Sequence, residues 1–277
     1  MFADLHIHST ASDGTNSPSK IVKLAKEKGL NTISLTDHDT VDGIEEALKK
    51  ANELNIEIIP GIELNSNDGE QEVHILGYFI NYKNNKLKSR LKKIIDSRIV
   101  RANTIIEKLN NLNISITMKD VLEFANEKFI GRPHIARAMI KKNYVKTVKE
   151  AFEKYIGEGG PAYVPRTYRL YPQDSIKYII EAGGIPVLAH PVLLKNKNII
   201  GNLMNNGLKG IEVYHSKQSS EESEYYYKFA LENNLLITGG SDFHGIEVDG
   251  KDLLGTIKLD YKYVELLKEF LKSMEII

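Results

Sequence analysis

The sequence contains no cysteine. That absence excludes a disulfide framework, a thiolate nucleophile, a zinc ribbon and a cysteine-ligated iron–sulfur cluster. Neither sign of charge is in excess: Lys+Arg and Asp+Glu both number 37, and the pI is about 7.1. A strong overall basic field for long nucleic acid is therefore not expected, although a local basic pocket remains open. No apolar run approaches the roughly 18–20 residues of a membrane span, so no membrane association is expected. Residues 1–8 carry Asp4, His6 and His8 instead of a basic stretch followed by an apolar one. They do not read as a signal peptide, and the expected location is cytoplasmic.

What is present is an ordinary globular composition, 42% hydrophobic and 27% charged over 277 residues. That suffices for two small domains or one large α/β domain with an insertion. Short apolar runs at 2–7, 31–35, 57–62 and 73–79 surround helical patterns at 18–28 and 43–54. This βαβ rhythm predicts a mainly parallel sheet. Residues 84–155 differ: they are Lys-rich and helix-patterned, with a long amphipathic stretch at 87–109 and shorter ones at 118–126, 134–141 and 147–155. They read as a helical insertion domain within a discontinuous barrel domain formed by 1–83 and 156–277. Helical patterns then return at 172–182, 219–233 and 261–273, with strand runs at 185–189, 208–213 and 235–238. About seven strands fit a barrel better than an open sheet. Lys-rich stretches such as 84–93 read as solvated helix faces, and at least one ring of Tyr225, Tyr226 and Tyr227 is expected to pack against the barrel.

The chemical signal is where histidines and acids fall relative to the strands. His6 and His8 lie two apart at the end of the first strand, so both imidazoles point to one side. Asp13 follows in the next loop. The second strand ends in Thr36-Asp37-His38-Asp39 and the third in Gly61-Ile62-Glu63. His74 sits in Val73-His74-Ile75, His190 ends Val187-Leu188-Ala189-His190, and the last strand runs into Gly240-Ser241-Asp242-Phe243-His244. A single strand-end histidine is usually just a satisfied polar residue; the set is what carries weight. In a parallel barrel the C-terminal ends of the strands build the active site. His, Asp and Glu suit Mn, Fe or Zn. Asp37 or Asp39 is expected to orient His38 from behind. Ser9 and Ser241 lack a nucleophile-elbow context and read as hydrogen-bonding residues.

These motifs, in this order, resemble the polymerase and histidinol phosphatase (PHP) family, within the wider amidohydrolase-like barrels. His6-Ile7-His8-Ser9, Ser12-Asp13-Gly14, Thr36-Asp37-His38-Asp39, Gly61-Ile62-Glu63, His74-Ile75-Leu76-Gly77, Ala189-His190-Pro191 and Ser241-Asp242-Phe243-His244 span nearly the whole chain. The resemblance implies a distorted (β/α)7 TIM-like barrel and two or three divalent metal ions, Mn first, with Fe or Zn as alternatives. It implies His6, His8, Glu63 and Asp242 at one ion, a bridging Glu63 with His74 and His190 at a second, and Asp13, His38 and His244 at a third. Such a centre suits phosphoester hydrolysis by a metal-activated hydroxide.

The insertion is expected to shape the substrate pocket. Gly131-Arg132-Pro133-His134-Ile135-Ala136-Arg137 is its most distinctive stretch. Arg132 and His134 are candidates to flank a substrate phosphate, and Arg137 follows on the same helix. Tyr163 is a candidate for base stacking and Arg166 for phosphate binding. Arg132, His134 and Asp242 are the candidate catalytic residues. The Gly-Arg-Pro-His insertion resembles that of stand-alone PHP phosphoesterases. That implies removal of the 3′-phosphate from nucleoside 3′,5′-bisphosphates, with a small phosphorylated nucleotide as the ligand and no obligate protein partner. The alternatives are 5′-to-3′ trimming of short single-stranded RNA, histidinol-phosphate hydrolysis, and a non-catalytic PHP module.

Overall fold

The computed structural model describes residues 1–125, 129–246 and 250–275. Eight strands form one sheet: β1 (Phe2–Ile7), β2 (Thr32–Leu35), β3 (Glu57–Asn67), β4 (Glu72–Tyr78), β5 (Ile185–Leu188), β6 (Gly210–His215), β7 (Leu236–Gly240) and the two-residue β8 (Leu259–Asp260). Their order is β7-β6-β5-β4-β3-β2-β1-β8. The chain just beyond β7 returns to β1. Asp242 N–H donates to His6 O, and His8 N–H donates to Phe243 O, each at 2.9 Å. The sheet thus curls into a nearly closed barrel. Gly240 makes that approach possible: a Cβ there would lie 2.4 Å from His6 N.

The sequence predicts a mainly parallel sheet, and β1–β2–β3 and β5–β6–β7 are parallel. β4 departs from it and runs antiparallel to both neighbours. The cause is local. Asp68 Oδ1 accepts from the amides of Glu70 and Gln71, folding the chain into a tight turn that leaves no room for the crossover helix a parallel neighbour requires. β3 also runs past the predicted end at Ile62, because residues through Asn67 pair with β4. Glu63 therefore sits within a strand. β6 ends at His215, two residues beyond the predicted Val213.

The helices follow their capping signals. α1 (Pro18–Glu27) starts at Ser17, whose side chain accepts from Lys20 N–H. α2 (Ile44–Leu54) stops at a left-handed Asn55. α3 (Asn85–Asn111) is one continuous helix. α4 (Met118–Leu122) is shorter than its pattern, whose last residue, Asn126, lies outside the described residues. α5 (Arg132–Lys141) begins two residues before its predicted start, since the extended Gly131 and a proline in the first turn set its entry. α6 (Val148–Ala151) widens into a π-helical turn, Phe152–Ile156. α7 (Pro172–Glu181), α8 (Ile199–Asn205), α9 (Ser220–Glu232) and α10 (Tyr261–Glu275) complete the chain. On α9, Tyr226 is buried against the barrel core while Tyr225 is exposed. No helix among the described residues is long and apolar enough to cross a membrane.

Two of the hydrophobic cores meet on α3. Leu87, Leu91 and Ile94 pack into the barrel core with Leu64, Ile75 and Val187. Ala102, Ile105 and Leu109 belong to a second core that closes on Ala162 and Val164. Between them, the Arg98 guanidinium donates to the fully buried Asp39 carboxylate, which also accepts from Asn65 N and Nδ2. Burial alone would raise the Asp39 carboxyl; Arg98 and Arg166 hold it below its ordinary value. Arg98→Ala leaves that carboxylate buried without its nearest counter-charge. The expected cost is about 3 kcal/mol, a fall in Tm of roughly 6–12 °C for a chain of this size. Chemical and thermal denaturation measure it, and a loss under about 1 kcal/mol would show that the pair contributes no more than a surface ion pair.

Candidate metal centre

Strand alternation aims His6 and His8 into the barrel, where both are fully buried. Glu63 enters from β3, also fully buried. Its two oxygens face different partners. Oε2 lies 3.4 Å from His6 Nε2, 3.3 Å from His8 Nε2 and 2.8 Å from His38 Nδ1. Oε1 lies 2.9 Å from His74 Nδ1 and 3.1 Å from His190 Nε2. Asp242 Oδ1 lies 3.4 Å from His6 Nε2 and 3.2 Å from His8 Nε2. His244 Nε2 lies 3.6 Å from Asp13 Oδ1. The reversed direction of β4 is what delivers His74. It stands near the start of its strand, yet opposite Asn65 and beside Glu63, at the end of the barrel where the parallel strands finish.

Buried polar atoms ordinarily find hydrogen-bond partners. Here His6 Nε2, both ring nitrogens of His8 and Asp13 Oδ1 are buried without one. Such a cost is offset when the atoms share a cation. Among the described residues, four groups bring ligand atoms within 4.8 Å of one another: His6, His8 and Glu63; His38, Glu63 and His74; His8, Asp13, His38 and His244; and, on the far side of His6, His6, Glu212 and His215. An all-nitrogen-and-oxygen donor set with a carboxylate facing two sides fits divalent ions sharing a bridge. Burial alone would raise the Glu63 carboxyl, but His38, His74 and His6 hold it well below the usual carboxylate range. Asp242 is held down against burial by His6 and His244. Burial, with His244 and His38 alongside, pushes the His8 imidazole down to about 3, so it stays neutral with a lone pair to offer.

The nine residues expected as ligands all come together at this end of the barrel. The grouping differs from expectation in three respects: His8 also faces the Asp13 group, His38 reaches Glu63, and Glu212 and His215 gather at His6. Neither Asp37 nor Asp39 orients His38. Asp37 instead accepts from Ser9 N, Ser9 Oγ and Ser12 Oγ, and so shapes the loop that carries Asp13. Asp39 is engaged by Arg98 and Asn65. Sequence reasoning also missed Asp4, Glu212 and His215. Glu212 is fully buried and bonds both His6 and His190. An acid within the apolar run Gly210-Ile211-Glu212-Val213 was the available signal.

Among the substrate candidates, Arg132 and Tyr163 line a cavity of about 270 Å³, together with the expected ligands His74 and His190. Arg166 reaches the same Glu72 oxygen as Arg132, at 3.4 and 3.3 Å. His134 does not join them. It is fully buried, its Nδ1 accepts from Gly131 N–H, and burial pushes its imidazole down to about 4 against the pull of Asp13. Arg132 thus lines the cavity, whereas His134 is not among its lining residues. Arg137 donates to the Asp13 carbonyl.

A barrel whose strand ends gather imidazoles around a shared carboxylate defines a metal-dependent hydrolase. Residues 4–181 match the PHP domain, and the chain belongs to that family. It is 33% identical over 246 residues to a 5′-3′ exoribonuclease of Haemophilus influenzae, covering 87% of this chain and 89% of that one. It is 30% identical over 256 residues to a 3′,5′-nucleoside bisphosphate phosphatase of Chromobacterium violaceum, covering 90% of each. A candidate metal-dependent phosphoesterase of Bifidobacterium adolescentis superposes with a TM-score of 0.89 at 30% identity, over 96% of this chain and 94% of that one. The protein is a metal-dependent phosphoesterase.

Glu63→Gln should fold and lose metal binding. At Mn²⁺ a hundredfold above its Kd, the wild type gains about 2.7 kcal/mol of stability. The variant's Tm should not respond to Mn²⁺. An undiminished thermal shift in the variant would remove Glu63 from the centre.

Proposed function

We propose that the enzyme hydrolyses the 3′-phosphate of nucleoside 3′,5′-bisphosphates, releasing 5′-nucleotides. One observation carries the reading. Two guanidiniums, from Arg132 and Arg166, converge on a single carboxylate oxygen of Glu72 beside the cavity that His74 and His190 line. That is a ready site for a phosphate oxygen next to the metal centre. Arg101 adds to the positive field: burial, Arg132 and Arg166 hold its guanidinium below the ordinary arginine value. The bisphosphate phosphatase of Chromobacterium violaceum, similar across 90% of both chains, supports the same substrate class.

The ligand residues assigned are His6, His8, Glu63 and Asp242 for one ion, Glu63, His74 and His190 for a second, and Asp13, His38 and His244 for a third. Mn is the proposed metal, with Fe or Zn as alternatives. When bound, such ions lower the pKa of water and offset charge on phosphoryl oxygens. The chain's own residues supply binding and orientation. Arg132 and Arg166 turn from Glu72 to a substrate phosphate, and the Tyr163 ring lies against the base. Residues 84–155 form the insertion that frames this cavity. His134, neutral and buried, supports the Asp13 loop instead of donating a proton as an imidazolium. The proposed setting is the cytoplasm, with no protein partner required.

A second reading, 5′-to-3′ trimming of short RNA, is favoured by the similarity to the Haemophilus influenzae exoribonuclease. Phosphate release in Mn²⁺ buffer separates the two. Adenosine 3′,5′-bisphosphate, histidinol phosphate and a short 5′-phosphorylated RNA are compared, with mononucleotide products resolved for the RNA. Fastest turnover of the bisphosphate to the 5′-nucleotide is expected. Preferred release of mononucleotides from RNA would shift the assignment to the second reading. Arg132→Ala should raise KM for the bisphosphate by roughly 10- to 100-fold, the value of a charged hydrogen bond to phosphate, with metal content unchanged. Unaltered kinetic constants would place the phosphate elsewhere.

A further inference from the structure

β6 lays a second set of polar side chains behind the metal centre. Its pairing with β7 shifts register between Glu212 and Tyr214. An extra residue at such a shift changes the alternation of faces. Glu212 and His215, three apart, thereby both turn inward, where each is buried. His215 Nε2 lies 3.5 Å from Asp242 Oδ2, and its Nδ1 accepts from Lys217 N–H at 3.2 Å.

Glu212 has the more demanding position. Its Oε1 lies 3.0 Å from His6 Nδ1, and its Oε2 accepts from His190 N–H at 2.7 Å. His190 needs that anchor, because it holds the uncommon backbone values φ 26° and ψ 63°. A carboxylate at His6 Nδ1 favours the tautomer that carries the proton there. The lone pair is then left on Nε2, the nitrogen that faces Glu63 and Asp242. Glu212, His6 and His215 do bring ligand atoms within reach of one another, but both Glu212 oxygens are already engaged by residues that hold the centre, which favours a supporting role over that of another ligand.

We infer that Glu212 is a positioning residue that sets the tautomer of His6 and the backbone of His190 together, so that two metal positions depend on one buried carboxylate. The inference rests on the metal-centre reading above. Glutamine is the informative replacement. It matches glutamate in size but offers one acceptor oxygen where two donors call for two. Either the His190 N–H loses its acceptor, or the amide NH₂ faces His6 Nδ1 and drives the proton to Nε2.

The test is Mn²⁺ binding by calorimetry to wild type and Glu212→Gln, with apo-state folding checked by circular dichroism. A variant that folds and binds Mn²⁺ roughly 10- to 100-fold more weakly is expected. Equal affinity overturns the inference while leaving the metal centre standing. A wild type that binds no Mn²⁺ overturns the metal-centre reading and this inference with it. A second measurement does not depend on the variant folding. Long-range ¹H–¹⁵N correlation on the Zn²⁺-loaded wild type should show His6 protonated at Nδ1 and bare of hydrogen at Nε2. The opposite pattern overturns the inference.

Discussion

The Glu63 carboxylate is the constraint on which the rest of the molecule depends. Removing a carboxylate from water is costly unless cations or strong donors replace the lost hydration. Glu63 is fully buried, and the imidazoles of His6, His8, His38, His74 and His190 surround it. They come from four places at the barrel mouth: the end of β1, the chain after β2, β4 and the chain after β5. The reversed β4 and the left-handed turn at His190 bring imidazoles to that one group, and the closure of the chain beyond β7 onto β1 brings Asp242 beside His6 and His8. The site and the barrel are therefore one structure, and the polar groups at its mouth make sense only together.

The arginines answer a different need. Among the described residues, the groups that could hold a metal are histidines and carboxylates, with no guanidinium in them. Arg132 and Arg166 bring positive charge to the edge of the metal centre, and Glu72 occupies them. Arg98 ties α3 to Asp39, and Arg132 ties α5 to Glu72 on β4, so charges that join these elements also set the polarity of the cavity.

Much of this was legible in the residues. Period-two spacing placed His6 and His8 on one face, and strand-end histidines paired with acids marked the candidate metal centre. Helical patterns at 18–28 and 219–233 gave boundaries close to those observed. What escaped was anything that depends on strand direction or on a break in alternation. A hairpin and a βαβ unit both show two apolar runs, and only the Asp68 turn decides between them, so the reversal of β4 was not read. The register shift in β6 defeats the period-two rule, so Glu212 and His215 were passed over. The divergence of Arg132 and His134 was equally hidden, because they share a first turn but not a direction. The role of Asp39 was misread for a related reason: its partners, Arg98 and Asn65, are remote in sequence.

The continuity of α3 has its own consequence. Its 27 residues make a rod about 40 Å long, with one end embedded in the barrel and the other in the second core. A joint of this kind transmits torque and resists bending. A rod shared by two cores ties one to the other, so neither can slide along it without giving up contacts of its own.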